Sequence, residues 1–309
     1  MASNDDPVET WDGPTVTDVA VIPGDRIPDA DGTQPGREPE VELATGLTLK
    51  VLPAIDADAY FDAVDARGLN FHPVRQFGQT YAFVRRHAPR EPLFAWDPDL
   101  LIRHAFQLSR LIRDNAHCSE YAVRVIEDAR RQIAPASGET FLAYHAGTPE
   151  RKWLSQQEAR DLGSLLRRFL EVRDRLPLRV RRGLWLAEYA VRDESPLVAI
   201  VWTVASIEAL FNTDPKRLRK QFRERTVGVS AELGVLQVTE EVANRMYSAR
   251  SEFVHGALAG AQDEDQLKRE LHQVQSVVRA ALRRAIEVDA FAARFHDDDS
   301  VRESWPVEL

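Results

Sequence analysis

The spacing of apolar residues is typical of strands in an early part of this chain and of helices farther along. Between residues 41 and 95 the apolar residues come in short runs. VELATGLTLKVLP has one run on each side of Thr45-Gly46, and VRQFGQTYAFVRR at 74–86 is rich in aromatic and β-branched residues. Short apolar runs bounded by turn residues are typical of strands, and the first segment predicts a hairpin. We therefore expect a small, partly β region over 41–95.

Farther along the chain the apolar residues recur at helical spacing. Asp97-Pro98 is typical of a helix start, in which aspartate caps the helix and proline takes its first position. Ser155 and Glu158 have the spacing of a capping box, which predicts another helix start. The segment SEYAVRVIEDARRQI, residues 119–133, is also predicted to be helical.

The segment SPLVAIVWTVASIEALFNTDP is apolar on nearly every side. A helix with this pattern is buried by its neighbours, so it is predicted to be a central helix. Ser195 is expected to begin it and Asn212 to end it. Three further helices are predicted to follow: DPKRLRKQFRERTVGV, EEVANRMYSARSEFVH and a long one over about 264–293.

Charge is distributed unevenly along the 309 residues. The formal net charge is −9, but residues 1–40 hold ten acidic residues against two basic ones, and residues 295–309 carry a further acidic excess. The middle of the chain is therefore slightly basic, and the acidic total does not argue against a polyanionic partner. Both ends are expected to be solvated and disordered.

These patterns predict a mainly α protein in which a helical bundle follows a smaller mixed α/β N-terminal region. The expected regions are a disordered acidic leader over 1–40, the mixed α/β region over 41–150, a helical domain over 151–294 and an acidic tail over 295–309.

Composition narrows the class of protein. A hydrophobic content of 44% is that of a folded globular protein. No apolar run reaches the roughly 18–20 residues of a membrane span, and the N-terminus lacks the pattern of a secretory signal. Cys118 is the single cysteine, which excludes an internal disulfide and favours a reducing compartment. A cytoplasmic protein with no membrane partner is expected.

Common metal and cofactor motifs are missing from the sequence. The histidines show no metal-ligand spacing, and there is no GxxxxGK[ST], GxGxxG or GxSxG segment. Neither a metal nor a cofactor is therefore expected. Hydrolysis of nucleotides by a P-loop and acyl transfer by a serine triad are set aside.

The segment YSARSEFVHG, residues 247–256, contains Arg250, Ser251 and His255. A carboxylate on the apolar helix, Glu208, is costly to bury without a partner, and a guanidinium suits that role. Glu208 and Arg250 together are either a strut between two helices or part of an active site. His255 is predicted to lie at a helix C-terminus, where the dipole favours a protonated imidazole. An arginine beside a titratable histidine suits phosphodiester chemistry, so these four residues are the candidate catalytic group.

Basic residues are concentrated in DPKRLRKQFRERT, directly after the Glu208 helix. This segment is either a solvated helix face or a surface that tracks phosphates. The candidate RNA-binding residues are Lys216, Arg217, Arg219, Lys220 and Arg223.

The order and spacing of four segments resemble the HEPN superfamily, most closely its Apea-like group. The segments are SIEALF, a basic helix, YSARSEFVHG and a last long helix. The resemblance covers roughly 155–290. It implies a helical bundle that dimerises with its R-x4–6-H motifs facing each other. It also implies a metal-independent RNA endonuclease in which the 2′-hydroxyl attacks the adjacent phosphate, leaving a cyclic phosphate and a 5′-hydroxyl. His255 would be the general acid/base and Arg250 would hold the phosphate, with Glu208 positioning Arg250 and Ser251 assisting.

The resemblance also implies partners. RNA, including tRNA, is the expected substrate, and a homodimer is the expected assembly. A role in toxin or anti-phage defence systems would add an antitoxin or operon partner. Many active members have Asn, Asp or His after the arginine, where this chain has Ser251. Non-catalytic members bind nucleotide, RNA or a partner protein, and such a binding dimer is the alternative.

Overall fold

The computed structural model describes residues 15–22, 40–52, 58–60, 62–63, 80–88, 100–115, 122–127, 130–135, 154–191, 195–235, 238–256 and 263–307. The protein is mainly helical and has an antiparallel sheet in its N-terminal part, as the sequence predicted. The chain divides into two compact units. The first comprises residues 1–109, 117–141 and 152–166, and the second comprises 110–116, 142–151 and 167–309.

The sheet of the first unit has six antiparallel strands in the order β2-β3-β4-β1-β5-β6. Strand β1, from near the start of the chain, therefore lies in the middle of the sheet between β4 and β5. The strands are β1 (Thr15–Ile22), β2 (Val41–Ala44), β3 (Leu47–Leu52), β4 (Thr80–Arg86), β5 (Ala122–Glu127) and β6 (Gln132–Pro135).

The central position of β1 corrects one expectation. The prediction that residues 1–40 form a disordered leader is wrong for Thr15–Ile22, which is a strand buried on both faces from Val16 onward except at Thr17. TVTDVAVI is rich in β-branched residues, but the acids, prolines and glycines around it dominate the composition of the segment. Residues 1–14 and 23–39 lie outside the described residues.

The hairpin predicted around Thr45-Gly46 is confirmed as β2 and β3. Gly46 has φ +74°, and a Cβ at this position would lie 2.9 Å from the carbonyl oxygen of Arg86. Both the backbone conformation and the close approach therefore require glycine. The strand predicted over 74–86 is confirmed for Thr80–Arg86, and residues 74–79 lie outside the described residues.

The helix predicted over 119–133 is wrong, because this segment forms β5 and part of β6. Val123 and Val125 point to one face of the sheet and pack there in a cluster with Val19 and Val84 of the neighbouring strands. This period-2 alternation over AVRVIE is a strand pattern, which the charged residues after it obscure.

The two faces of the sheet are covered differently. On one face Phe83 packs edge-on against Phe106 of helix α1 (Leu100–Ile112), with ring centroids 4.8 Å apart. The other face carries the cluster of Val19, Val84 and their neighbours, which Tyr60 joins from a short helical stretch. The predicted helix start at Asp97-Pro98 lies outside the described residues.

The described residues from 154 onward are mostly helical. The helices are α2 (Gln156–Val172), α3 (Leu178–Ala190), α4 (Pro196–Phe211), α5 (Leu218–Leu233), α6 (Glu240–Val254), α7 (Glu264–Glu287), α8 (Asp289–Ala293) and α9 (Asp298–Ser304). The capping box predicted for α2 is confirmed, since the backbone N–H of Ser155 donates to Glu158 Oε2 at 2.7 Å and that of Glu158 donates to Ser155 Oγ at 3.3 Å. Within the described residues, no helix is both long and apolar enough to cross a membrane.

Helix α4 is the central helix that the sequence predicted. Ser195 precedes it and Asn212 follows it, and α3, α5, α6 and α7 all contact it. Helix α3 approaches it so closely that Ser206 Oγ donates to the carbonyl of Gly183 at 2.8 Å, in a buried contact. This packing fixes the position of the last turn of α4, which carries Glu208.

The predicted disorder of residues 295–309 is wrong for the described part of that tail. Phe295 is fully buried, and Trp305 packs edge-on against Phe211 of α4 with ring centroids 5.0 Å apart. The indole N–H of Trp305 donates to Glu232 at 2.9 Å. Asp298 and Asp299, between these aromatic residues, lie in the first turn of α9, where the helix dipole favours negative charge.

Candidate functional site

The expected contact between Glu208 and Arg250 is present. Glu208 lies one turn before the end of α4, and Arg250 lies on the neighbouring α6. Arg250 Nη2 donates to Glu208 Oε2 at 3.4 Å, and the side chains are 28% and 17% exposed respectively. The contact is one long hydrogen bond rather than a bidentate pair. The carboxylate therefore holds the guanidinium loosely, within reach of solvent.

Tyr247 is the third member of this group, and the sequence analysis did not single it out. It lies one turn before Arg250 on α6, and the Arg250 guanidinium carbon is 5.9 Å from the centre of its ring. Burial raises the pKa of Glu208, which the charge of Arg250 and a hydrogen bond from Tyr247 only partly offset. Burial and the adjacent Glu208 carboxylate in turn raise the pKa of the Tyr247 hydroxyl. Its spacing of three residues from Arg250 is the signal that could have found it.

The raised pKa of Glu208 predicts the effect of Glu208→Gln on stability. A carboxyl whose pKa is higher in the folded protein contributes most below its unfolded pKa, and loses that contribution as pH rises through the folded value. We therefore expect the glutamine variant to gain stability relative to wild type as pH rises from about 4 to 7, on either side of the ordinary Glu pKa of about 4.3. Urea unfolding across this range measures it.

Glu303→Gln is the matched control for that measurement, because Glu303 is exposed on α9. It should leave the pH dependence of unfolding unchanged. A Glu208→Gln protein that loses stability relative to wild type as pH rises would show that attraction to Arg250 outweighs the burial of the carboxylate.

His255 lies just beyond the end of α6. It caps the helix, its backbone N–H donates to the carbonyl of Ser251 at 3.1 Å, and Gly256 follows with φ +70°. The imidazole is exposed and makes no hydrogen bond or ion pair with any residue that the structure describes. Ser251 is half-buried next to Arg250. Five residues of helix separate Arg250 from His255 by about 7.5 Å along the axis.

Within one chain, the structure therefore brings together Glu208, Tyr247 and Arg250 but adds no contact from His255. Phe253 and Val254 at the end of α6 are 38% and 53% exposed. They place a small apolar area beside the candidate catalytic histidine.

Two of the five candidate RNA-binding residues are occupied in ion pairs. Lys220 lies 3.7 Å from Glu224, and Arg223 lies 2.9 Å from Glu224 and 3.3 Å from Glu240. Their charges are therefore partly neutralised within the helical unit. They are weaker candidates for phosphate contacts than the sequence alone suggested.

The other three carry charge that no described carboxylate neutralises. Lys216 and Arg217 are exposed just before α5, and neither forms an ion pair within the described ranges. Arg219 donates to Asn244 Oδ1 at 3.3 Å and to Ser248 Oγ at 3.2 Å, both neutral groups of α6. Its charge acts to lower the pKa of Tyr247. Positive charge thus extends from α5 to the Glu208 group.

A cavity of about 740 Å³ lies on another side of Glu208. Glu208 lines it from α4 and Asn212 from just beyond that helix, while Arg182 lines it from α3 and Arg302 from α9. Arg302 is paired with Asp299 at 2.5 Å, whereas Arg182 is exposed and forms no ion pair in the described part of the chain. Sequence reasoning missed this cavity because one of its walls is the segment that was expected to be disordered.

The residues that the structure describes contain no group of three or more His, Cys, Asp or Glu side chains placed to hold a metal ion. Comparison of the chain with protein-family models, with curated proteins and with solved structures finds no match. The residues of the site and their geometry therefore carry the functional conclusion.

Proposed function

We propose that the protein is a metal-independent RNA endonuclease of the HEPN type that acts as a homodimer. The observation that carries the proposal is the arrangement on α6. Arg250 is held loosely beside the partly buried Glu208, and the exposed imidazole of His255 follows at the end of the same helix. A cation that stabilises charge on the phosphate and a titratable group that moves protons are the two functions that cleavage of a phosphodiester uses.

The proposed reaction uses the substrate's own nucleophile. The RNA 2′-oxygen forms a bond to the adjacent phosphorus as its proton is taken up, and the bond from phosphorus to the 5′-oxygen breaks as that oxygen receives a proton. His255 moves these protons, and Arg250 stabilises the negative charge that develops on the phosphoryl oxygens. Glu208 limits where the guanidinium can turn, through the hydrogen bond of 3.4 Å that Arg250 donates to it.

The exposed end of α6 supports a dimeric site. An in-line reaction with both a general base and a general acid uses two proton-transfer groups, and each chain offers one His255 on this surface. Phe253 and Val254, next to that histidine, provide the apolar area that a second copy would cover. A second copy placed there would bring its own His255 to the same phosphate.

The charge next to the site supports RNA as the substrate. Among the described residues, the side chain of Arg219 donates to neutral groups of α6 and forms no ion pair, and Lys216 and Arg217 are exposed in the turn before α5. Cations without carboxylate partners are those that phosphates can engage without breaking an existing ion pair. We expect these three residues to contact the RNA backbone on either side of the cleaved bond.

The test is incubation of the purified full chain with total RNA and with tRNA in the presence of EDTA. The expected products carry 2′,3′-cyclic phosphate and 5′-hydroxyl ends, which labelling with polynucleotide kinase identifies directly. Salt-dependent RNA binding without any cut product would replace the nuclease with the non-catalytic binding dimer. Cleavage that stops when EDTA is added would contradict the proposed metal-independent mechanism.

A further inference from the structure

The first unit contains a second candidate site, on the face of the sheet opposite α1. A cavity of about 410 Å³ lies over β3, β4, β1 and β5, and we refer to it as the sheet pocket. Its floor is apolar and is formed by Val19, Leu52, Val84 and Val125. Its volume falls in the range of about 300–1,000 Å³ in which proteins bind small organic molecules.

Polar groups are gathered at one end of the sheet pocket. Thr17 is the direct cross-strand partner of Arg86, and Thr15 is that of Glu127. Side chains of directly paired residues lie about 5 Å apart at Cβ, so these groups are neighbours. Arg131, after β5, completes this end, and its Nη2 donates to the Tyr60 hydroxyl at 3.2 Å. Two guanidinium groups and two threonine hydroxyls therefore lie around one end of an apolar floor.

The charge of the lining is positive. Among the lining residues that the structure describes, Glu127 is the one acidic side chain, and Arg131 Nε lies 3.9 Å from its Oε1. Arg86 is exposed and Lys50 is half-buried, and neither forms an ion pair among the residues that the structure describes. The described lining residues thus have an excess of two positive charges, which a dianionic ligand would match.

Arg131 has an unusual backbone conformation. Its φ is +43°, and among the described residues it is the only one other than glycine that has a positive φ. L-residues with a side chain seldom adopt this conformation, and glycine would adopt it at lower cost. The chain nevertheless has an arginine here, with its guanidinium on the sheet pocket. Strained backbone of this kind is concentrated where a side chain has a functional task.

We propose that the sheet pocket binds a small organic phosphate monoester that has a flat apolar body. A phosphate monoester carries close to two negative charges at neutral pH, which matches the excess on the lining. A guanidinium group can donate two parallel hydrogen bonds to the oxygens of one phosphate. The phosphate therefore lies at the Arg86–Arg131 end of the pocket, beside Thr17. The apolar body lies over the floor, of which Val19 and Val84 are 2% and 5% exposed, with Lys50 near its other end.

Titration calorimetry of the full chain with adenosine monophosphate, adenosine and inorganic phosphate tests this proposal. Adenosine monophosphate should bind at least about 10-fold more tightly than either of its parts, because only the whole molecule uses the floor and the cations together. Arg86→Gln should weaken its binding by about 10-fold or more, the typical value of a charge-assisted hydrogen bond. Arg160→Gln, an exposed residue of the same unit outside the pocket, should leave binding unchanged.

A second variant separates binding from folding. Arg131→Gly loses the contacts with Tyr60 and Glu127 but suits the positive φ, so its melting temperature should stay close to that of wild type, while binding of adenosine monophosphate is lost. Binding that survives both Arg86→Gln and Arg131→Gly would overturn the proposal, as would adenosine monophosphate that binds no better than adenosine. His255→Ala must leave this binding intact, since the pocket lies in the other unit. The sheet pocket and the RNA site can therefore fail independently.

Discussion

The His255→Ala protein is expected to lose RNA cleavage and to unfold at the same temperature as wild type. The loss should be about 10²- to 10⁴-fold in cleavage rate, which is the usual contribution of a general acid or base. The imidazole is exposed and makes no hydrogen bond or ion pair with the described residues, so its removal should change stability by no more than about 0.5 kcal/mol. Rates of cleavage of one labelled RNA in EDTA, together with thermal unfolding curves, measure both effects.

Arg250→Ala should reduce cleavage in the same experiment to a similar extent as His255→Ala. Arg284→Ala is its control, because Arg284 is exposed on α7 and should tolerate alanine without loss of cleavage. RNA binding separates the two parts of the site: His255→Gln should keep its affinity, because imidazole is assigned to proton transfer and not to holding phosphate. Cleavage by His255→Ala at the wild-type rate would remove this histidine from the mechanism.

The elements that the sequence predicted correctly are those whose signals are local. The capping box of Ser155 and Glu158 places its donors and acceptors within four residues, and the structure shows both hydrogen bonds. Helix α4 is apolar all round between a proline and an asparagine, which leaves no alternative to a buried helix. The β2–β3 hairpin depends on the one glycine, Gly46, that its turn requires.

The elements that the sequence missed depend on partners far along the chain. Strand β1 pairs with β4, about 60–70 residues away, and with β5, more than one hundred residues away, so nothing near it in sequence reveals the pairing. The segment after residue 295 was assigned to solvent because of its acids. Its structure depends on Phe295 and Trp305, which pack on Phe211 of α4. Strand and tail formation of this kind reflects tertiary context rather than local preference.

The candidate site shows the same division. The contact between Glu208 and Arg250 could be predicted because a carboxylate on an apolar helix needs a partner, and α6 supplies one arginine at the right end. The cavity lined by Arg182 and Arg302 could not be predicted, because it depends on the position of a folded C-terminal segment. The sheet pocket requires the register of four strands, which no single segment specifies.

Asp18 shows most clearly how far tertiary structure can change the meaning of a residue. Its sequence neighbourhood placed it among the acids of a solvated leader, yet its side chain is completely buried in the middle of the sheet. Arg124 donates to both of its oxygens, at 2.7 and 2.9 Å, and His87 Nε2 lies 3.0 Å away. Burial alone would raise the pKa of Asp18. The hydrogen bonds from His87 and Arg124, with their charges, outweigh it and lower that pKa.

Asp18→Asn should therefore destabilise the protein by about 3–5 kcal/mol, the usual result of removing one partner of a buried ion pair. The amide leaves the Arg124 charge uncompensated and directs N–H groups toward donors. Because the folded pKa of Asp18 is lowered, the stabilisation that it contributes is present above the unfolded pKa and is lost as pH falls through the folded value. The asparagine variant should lack this part of the acid sensitivity in urea unfolding. Glu42→Gln, at an exposed position of β2, is the matched control. If Asp18→Asn lost no more stability than Glu42→Gln, the buried cluster of Asp18, His87 and Arg124 would have no stabilising role.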